Sequence, residues 1–197
     1  MRAWRRAVRA LARHGQAGQT VSVSLQPEDA EAVRRFQAWK HRPRQPGQDD
    51  DGLTTPQSVY ADLMKAAFAP ALRSAGLRGS GGRFELPSVC YWAQLGFQKS
   101  AYSSGDQLRF TINLSVIPND EWARQSTAKP YLGKHPTPST QYGAWAKTAR
   151  IGHLTPRGED KWWRIVRGAD AAAVRDDALH DLLTYAVPWL RQHTPQP

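Results

Sequence analysis

The sequence predicts an α+β fold in which a small, mostly antiparallel, twisted sheet carries helices packed on one face. Helical patterns of apolar residues lie at both ends of the region from Thr55 to the C-terminus. Segments that alternate apolar and polar residues, as half-buried strands do, lie between them. Because these strands mostly follow one another along the chain, we expect antiparallel pairing, with one sheet face in the core and the other more open.

The first 54 residues predict a basic N-terminal extension, separate from an α+β domain of residues 55–197. Residues 1–14 hold five Arg and no acid, a composition typical of a basic amphipathic arm or of a frayed extension. Residues 20–25 alternate like a short strand, and a short helix is predicted after them. Residues 43–52 are rich in Pro, Gly and Asp, which indicates a linker between the two regions.

The first helix of the domain is predicted to begin at Thr55-Pro56, since Pro suits the first helical position, and to end at Gly76. Pro70 lies inside this helix and should kink or divide it, because its ring leaves no N–H for the ladder. The apolar stripe consists of Val59, Leu63, Ala67, Phe68 and Leu72.

The strands are predicted over Arg83–Leu86, Val89–Ser100 and Leu108–Ile117, with a turn-rich segment before the last of them. Leu108–Ile117 has the clearest alternation: Phe110, Ile112, Leu114 and Val116 face one way, and Arg109, Thr111, Asn113 and Ser115 the other.

The remainder of the domain is predicted to be a loop, two strands and a helix. The segment from Asn119 to Tyr142 shows little periodicity and is predicted to be a long loop, which we call the excursion. Ala144–Leu154 and Lys161–Val166 are the expected strands. From Ala169 onward an apolar face predicts a helix, whose last turns Pro188 should bend.

One side of the predicted sheet carries mostly hydrogen-bonding side chains, and we call it the polar face. It comprises Trp92, Gln94, Gln98, Ser100, Arg109, Thr111 and Asn113, with Thr148 and Arg150 from the next strand. Such a face is either a recognition surface or an ordinary solvated sheet face. Trp162 and Trp163 are neighbours whose side chains point in different directions, so at most one should be deeply buried. They are either a stacking platform or packing residues.

The composition excludes several classes of site. The net charge of +10 divides equally between residues 1–50 and 51–197, with cations scattered among acids, so it indicates either a solvated basic surface or a polyanion site. The single Cys90 forbids an intrachain disulfide and fits a cytoplasmic protein. The six His are isolated and no nucleotide, zinc or hydrolase motif occurs, so we expect no metal and no cofactor. No segment is long and apolar enough to predict a membrane span.

Five short motifs occur in one order: AGLR at 75–78, FQKS at 97–100, FTINL at 110–114, RIGHL at 150–154 and Trp162-Trp163. In these the chain resembles domain-of-unknown-function family 4304 over about residues 55–192. It departs from the family pattern at Ser115, where a Gly is expected, and in the length of its excursion. The resemblance implies a small bacterial α+β domain with no assigned reaction. The polar residues that it points to are Gln98, Lys99, Ser100, Asn113 and Arg150.

Together the polar face and the resemblance give the candidate binding residues Gln98, Lys99, Ser100, Arg109, Asn113, Arg150, Trp162 and Trp163. The sequence favours a non-catalytic binding or accessory module that uses the polar face to hold a partner protein. Nucleic-acid binding through the basic surface and exposed Trp is one alternative. A small hydrolase-like enzyme is another, although no catalytic base is identified. No pattern indicates an oligomeric state.

Overall fold

The computed structural model describes residues 54–195, so the predicted N-terminal arm, strand, helix and linker lie outside the described residues. Within this range the chain folds as an antiparallel sheet with helices, which confirms the α+β class. The helices are α1 (Pro56–Leu63), α2 (Ala69–Ser74), α3 (Asn119–Ala128), α4 (Ala172–Asp181) and α5 (Val187–His193). The strands are β1 (Arg78–Ser80), β2 (Arg83–Leu86), β3 (Tyr91–Lys99), β4 (Gln107–Pro118), β5 (Lys147–Arg150) and β6 (Trp163–Val166).

Strand β4 is the centre of the sheet. Strands β1 to β4 form an antiparallel meander, in which β3 lies along one edge of β4. Both β5 and β6 pair with the opposite edge, β5 against residues 113–116 and β6 against residues 107–110. The two short strands therefore lie end to end, and the segment that joins them is held beside the middle of β4.

Both predicted helix interruptions occur, as π-helical segments. Met64–Phe68 separates α1 from α2, and Leu182–Ala186 separates α4 from α5. In each case Pro is the second residue of the helix that follows, at Pro70 and Pro188. A proline ring clashes with the carbonyl four residues earlier and offers it no donor. The wider π turn accommodates that mismatch, so the helix continues past the proline.

Helices α1, α2, α4 and α5 pack on the face of the sheet that alternation assigned to the core. The side chains of Phe110, Ile112 and Leu114 are fully buried there, which confirms the predicted alternation in β4. Helical side chains that meet them include Phe68 and Leu182, both without accessible surface. Apolar burial of this extent is the main term that stabilises the domain. No helix within residues 54–195 has the length and apolar character needed to cross a bilayer.

The other face of the sheet is not open at its centre, so that expectation was wrong. Ser115 and Thr111 have no accessible surface, and Pro138 lies so close that a Cβ at Gly96 would overlap its ring. The segment between β4 and β5 covers this face. It includes helix α3, which the sequence did not predict because Trp122 is its only buried side chain and no apolar stripe exists.

The strand predicted over Ala144–Leu154 was too long at both ends. Strand β5 covers Lys147–Arg150, and Ile151–Leu154 forms a 3₁₀ turn. A Cβ at Gly152 would overlap the carbonyl oxygen of Glu159 and the amide nitrogen of Lys161, so the chain doubles back tightly at this turn. This close approach places residues 159–162 against the polar face.

Candidate functional site

Asn113 is the centre of a hydrogen-bonded network on the polar face. Its Nδ2 donates to Gln98 Oε1 on β3 at 2.7 Å and to Ser139 Oγ in the covering segment at 3.2 Å. Its Oδ1 accepts from Nε of Arg150 on β5 at 3.2 Å. Arg150 is the cross-strand partner of Asn113, which brings the two side chains together. The network fixes the orientation of Arg150, since Asn113 is itself buried.

Arg150 also holds the carboxylate of Asp160, which the Gly152 turn brings to the sheet. Its Nη1 lies 3.0 and 2.9 Å from the two carboxylate oxygens, and Trp162 Nε1 donates to Asp160 Oδ2 at 3.0 Å. Burial acts to raise the pKa of Asp160, but the hydrogen bonds from Trp162 and Arg150 and the Arg150 charge outweigh it, so the pKa lies below its ordinary value. Asp160 is therefore an ionised anchor for both side chains.

Two guanidinium groups lie over the Trp162 ring and a third arginine is next to one of them on the sheet; we call Arg109, Arg150, Arg164 and Trp162 the arginine cluster. The guanidinium carbons of Arg150 and Arg109 lie 5.5 and 5.6 Å from the Trp162 ring centroid, within cation–π range. Arg164 on β6 is the direct cross-strand partner of Arg109 on β4. Like charges directly opposite one another destabilise a sheet. Among the described residues neither Arg109 nor Arg164 has a carboxylate partner.

The structure brings five of the eight candidate residues together at this place. Gln98 and Asn113 form the network, Arg109 and Arg150 contact Trp162, and all five lie on the polar face. Sequence reasoning missed Arg164, Asp160 and Ser139. Arg164 stands two residues after Trp162 within the predicted strand Lys161–Val166, so period-2 alternation could have placed it on the same side as Trp162. Asp160 and Ser139 lie in loops, where no periodic pattern of apolar and polar residues indicates which way a side chain faces.

The other three candidates lie elsewhere. Lys99 is on the helix-covered side, with its Nζ 4.5 Å from the centroid of the Tyr60 ring. Ser100 follows the end of β3, where its hydroxyl accepts a hydrogen bond from the amide of Tyr102. Trp163 is buried, stacks on Phe110 at 5.3 Å and donates from Nε1 to Asp177. It is a packing residue, whereas its neighbour Trp162 is half-buried on the polar face.

An ion triad with one buried carboxylate lies next to the arginine cluster, along a cleft of about 540 Å³. Lys161 Nζ lies 2.7 Å from Asp177 Oδ2 and 2.6 Å from Asp181 Oδ2, both on α4. Burial acts to lower the pKa of Lys161, but its hydrogen bonds to the two carboxylates outweigh this, and the pKa is raised. The triad ties α4 to the chain just before β6. No cluster of His, Cys, Asp or Glu within residues 54–195 is arranged to hold a metal ion.

The fold and the site define a small α+β domain with a partly covered antiparallel sheet and a cationic, tryptophan-containing surface on its polar face. A family model described as "Domain of unknown function (DUF4304)" matches residues 68–192. The chain belongs to this family, as its motifs indicated. No curated protein and no solved structure matches the chain significantly.

Proposed function

We propose that this domain is a non-catalytic binding module that holds an acidic protein partner on the arginine cluster. The observation that carries the proposal is the cross-strand pair of Arg109 and Arg164, two arginines directly opposite each other in the sheet without a carboxylate partner among the described residues. Arrangements that destabilise the free protein are common at functional sites, where a ligand relieves them. A carboxylate accepts two parallel hydrogen bonds from one guanidinium, so carboxylates of a partner protein would fit this pair.

The rest of the cluster has the character of a protein-binding surface. Arg and Trp are over-represented among residues that dominate interface energies. The framework beneath is rigid, because Asp160 and Asn113 hold Arg150 from two directions. A surface with fixed side chains loses little conformational entropy on binding.

The chemistry of the nearby carboxylates supports binding rather than catalysis. Asp160 and Asp177 are paired with cations, and hydrogen bonds from Trp and from those cations hold each pKa below its ordinary value despite the opposing effect of burial. A general acid or base works best with a pKa near the working pH. Lowered pKa values make these carboxylates weak bases, and they remain ionised anchors.

Nucleic-acid binding is the second candidate, favoured by the same unpaired Arg109 and Arg164 and by Trp162. A phosphate backbone would satisfy the cations as carboxylates would. However, two guanidinium groups already lie over the Trp162 ring, which leaves less of it for a base to stack on. The geometry therefore favours the protein partner.

The test compares a labelled twenty-residue glutamate-rich peptide and a twenty-residue oligothymidylate by fluorescence anisotropy. We expect the double variant Arg109→Gln/Arg164→Gln to bind the peptide about tenfold more weakly than the wild type, because it loses two exposed ion pairs of about 0.7 kcal/mol each. In affinity capture from cells of the source organism, the same double variant should fail to retain a partner protein that the wild type retains. Arg150 is left unchanged because its replacement would also release Asp160 and Asn113.

The matched control is Lys129→Gln/Lys134→Gln, which removes the same net charge from two exposed side chains of the covering segment. It should change peptide affinity about twofold or less. Equal affinities for the two double variants would refute the proposal. Binding of the oligothymidylate alone, with a steep salt dependence that the Arg109/Arg164 variant loses, would establish the second candidate instead.

A further inference from the structure

A second cleft lies on the helix-covered side of the sheet, away from the arginine cluster. It has a volume of about 540 Å³ and lies where α1 and its π-helical segment meet the end of β3 and the β1–β2 turn. Apolar side chains in its wall include Met64, Ala69 and Phe97. The size is within the range of small-molecule sites, and π-helical turns are frequent at functional sites.

Tyr60 lines this cleft, and its hydroxyl has no hydrogen-bond partner among the described residues. Only 6% of its surface is exposed, and its ring packs edge-on against Phe110 at 5.2 Å. No described residue forms a hydrogen bond with its hydroxyl, and the hydroxyl oxygen is not among the polar atoms fully buried from solvent, so a ligand in the cleft can reach it. Gly82, with φ +84°, has no side chain, and a Cβ there would stand 3.9 Å from the hydroxyl oxygen. Burial raises the pKa of Tyr60, so the hydroxyl stays a hydrogen-bond donor.

Cations are the only charged groups that line the cleft among the described residues. They are Lys65, Arg73 and Lys99. The Lys99 Nζ lies over the Tyr60 ring, 4.5 Å from its centroid, which places a positive charge on the same side chain that carries the hydroxyl. Arg73 is held in place by its Nη2, which donates to the carbonyl oxygen of Gly79 at 3.0 Å. A hydroxyl donor flanked by cations selects a negatively charged acceptor.

We infer that this cleft binds a small organic anion with an apolar body, such as a short acyl or alkyl chain that ends in a carboxylate or a phosphate. The anionic head accepts a hydrogen bond from Tyr60 and lies near Lys99, and the chain packs on Met64 and Phe97. This binding does not depend on the proposed partner site, because the cleft and the arginine cluster lie on opposite faces of the sheet.

The test is isothermal titration calorimetry of the full chain with octanoate, octyl phosphate and 1-octanol, each below its aggregation concentration. We expect at least one anion to bind the wild type about tenfold or more tightly than the uncharged alcohol, and the tighter anion identifies the head group. Tyr60→Phe, which removes only the hydroxyl, should weaken anion binding about tenfold, since a hydrogen bond to a charged acceptor is lost. Lys99→Gln should weaken anion binding severalfold and leave octanol binding unchanged.

The matched controls keep the result interpretable. Tyr102→Phe removes the hydroxyl of an exposed tyrosine, and Arg109→Gln/Arg164→Gln removes charge from the opposite face, so both should bind the anions as the wild type does. Tyr60→Phe should melt close to the wild-type temperature without ligand, because no described residue forms a hydrogen bond with the hydroxyl that it removes. Lys99→Gln changes an exposed side chain, so its effect on anion binding still tests the inference if the Tyr60→Phe variant does not fold. Equal affinity for octanol and both anions, unchanged affinities in Tyr60→Phe and Lys99→Gln, or no binding would overturn the inference.

Discussion

Replacing Lys161 by Met would break the ion triad that ties α4 to the sheet. The Lys161 ammonium lies 2.6 Å from Asp181 and 2.7 Å from Asp177, so one substitution removes the cation from two carboxylates. Met is close in length to the lysine stem and keeps its apolar contacts. The variant therefore tests the charge interaction rather than the packing of the side chain.

The two carboxylates differ in exposure, and this difference sets the expected loss of unfolding free energy. Only 4% of the Asp181 side chain is exposed, against 51% for Asp177. The Asp177 pair is screened by water and contributes about 0–1 kcal/mol. Asp181 would be left as a buried carboxylate without a cation, and breaking such a pair costs about 3–5 kcal/mol. Because 30% of Lys161 is itself exposed, we expect the lower end, about 3 kcal/mol.

Urea unfolding at pH 7, followed by tryptophan fluorescence, measures this loss, with a melting temperature lower by about 10 °C as a second reading. The double variant Lys161→Met/Asp181→Leu should recover to within about 1 kcal/mol of the wild type, because no buried unpaired charge remains and the Asp177 carboxylate is half-exposed to water. Arg175→Met is the control, since its pair with Asp176 is exposed and its loss should leave the urea unfolding midpoint at the wild-type value. A loss below about 1 kcal/mol, or a double variant no more stable than Lys161→Met, would refute the reasoning.

Two further predictions concern close packing beside the polar face. Gly152→Ala should destabilise the domain more than Gly96→Ala, because the new Cβ meets rigid backbone at Gly152 but a proline side chain that can shift at Gly96. We expect losses of about 3 and about 1 kcal/mol in urea unfolding, and the reverse order would contradict the packing described. Ser115→Ala should leave stability unchanged or raise it by up to about 1 kcal/mol, since the buried Ser115 hydroxyl has no partner among the described residues. A loss above 1 kcal/mol in thermal unfolding would indicate a hydrogen bond that this structure lacks.

The segment from Asn119 to Tyr142 is the part of the domain whose structure the sequence pattern did not predict. Its sequence indicated a loop, yet it forms α3 and covers part of the polar face through contacts such as Pro138 over Gly96. One buried Trp per helix produces no periodicity, and a loop that packs through single residues leaves no local signal. The expectation of an open face failed for this reason.

The sequence by itself determined the α+β class, the helix at each end, the alternation of β4 and the family. These depend on local periodicity and short motifs, which a single segment carries in full. Only the tertiary structure decided which polar residues meet. Arg109 and Arg164 are 55 positions apart and become neighbours through the pairing of β6 with β4. Tyr60 and Lys99 meet only because α1 packs across the end of β3. Sites of this kind are made by long-range contacts, and no local pattern encodes those.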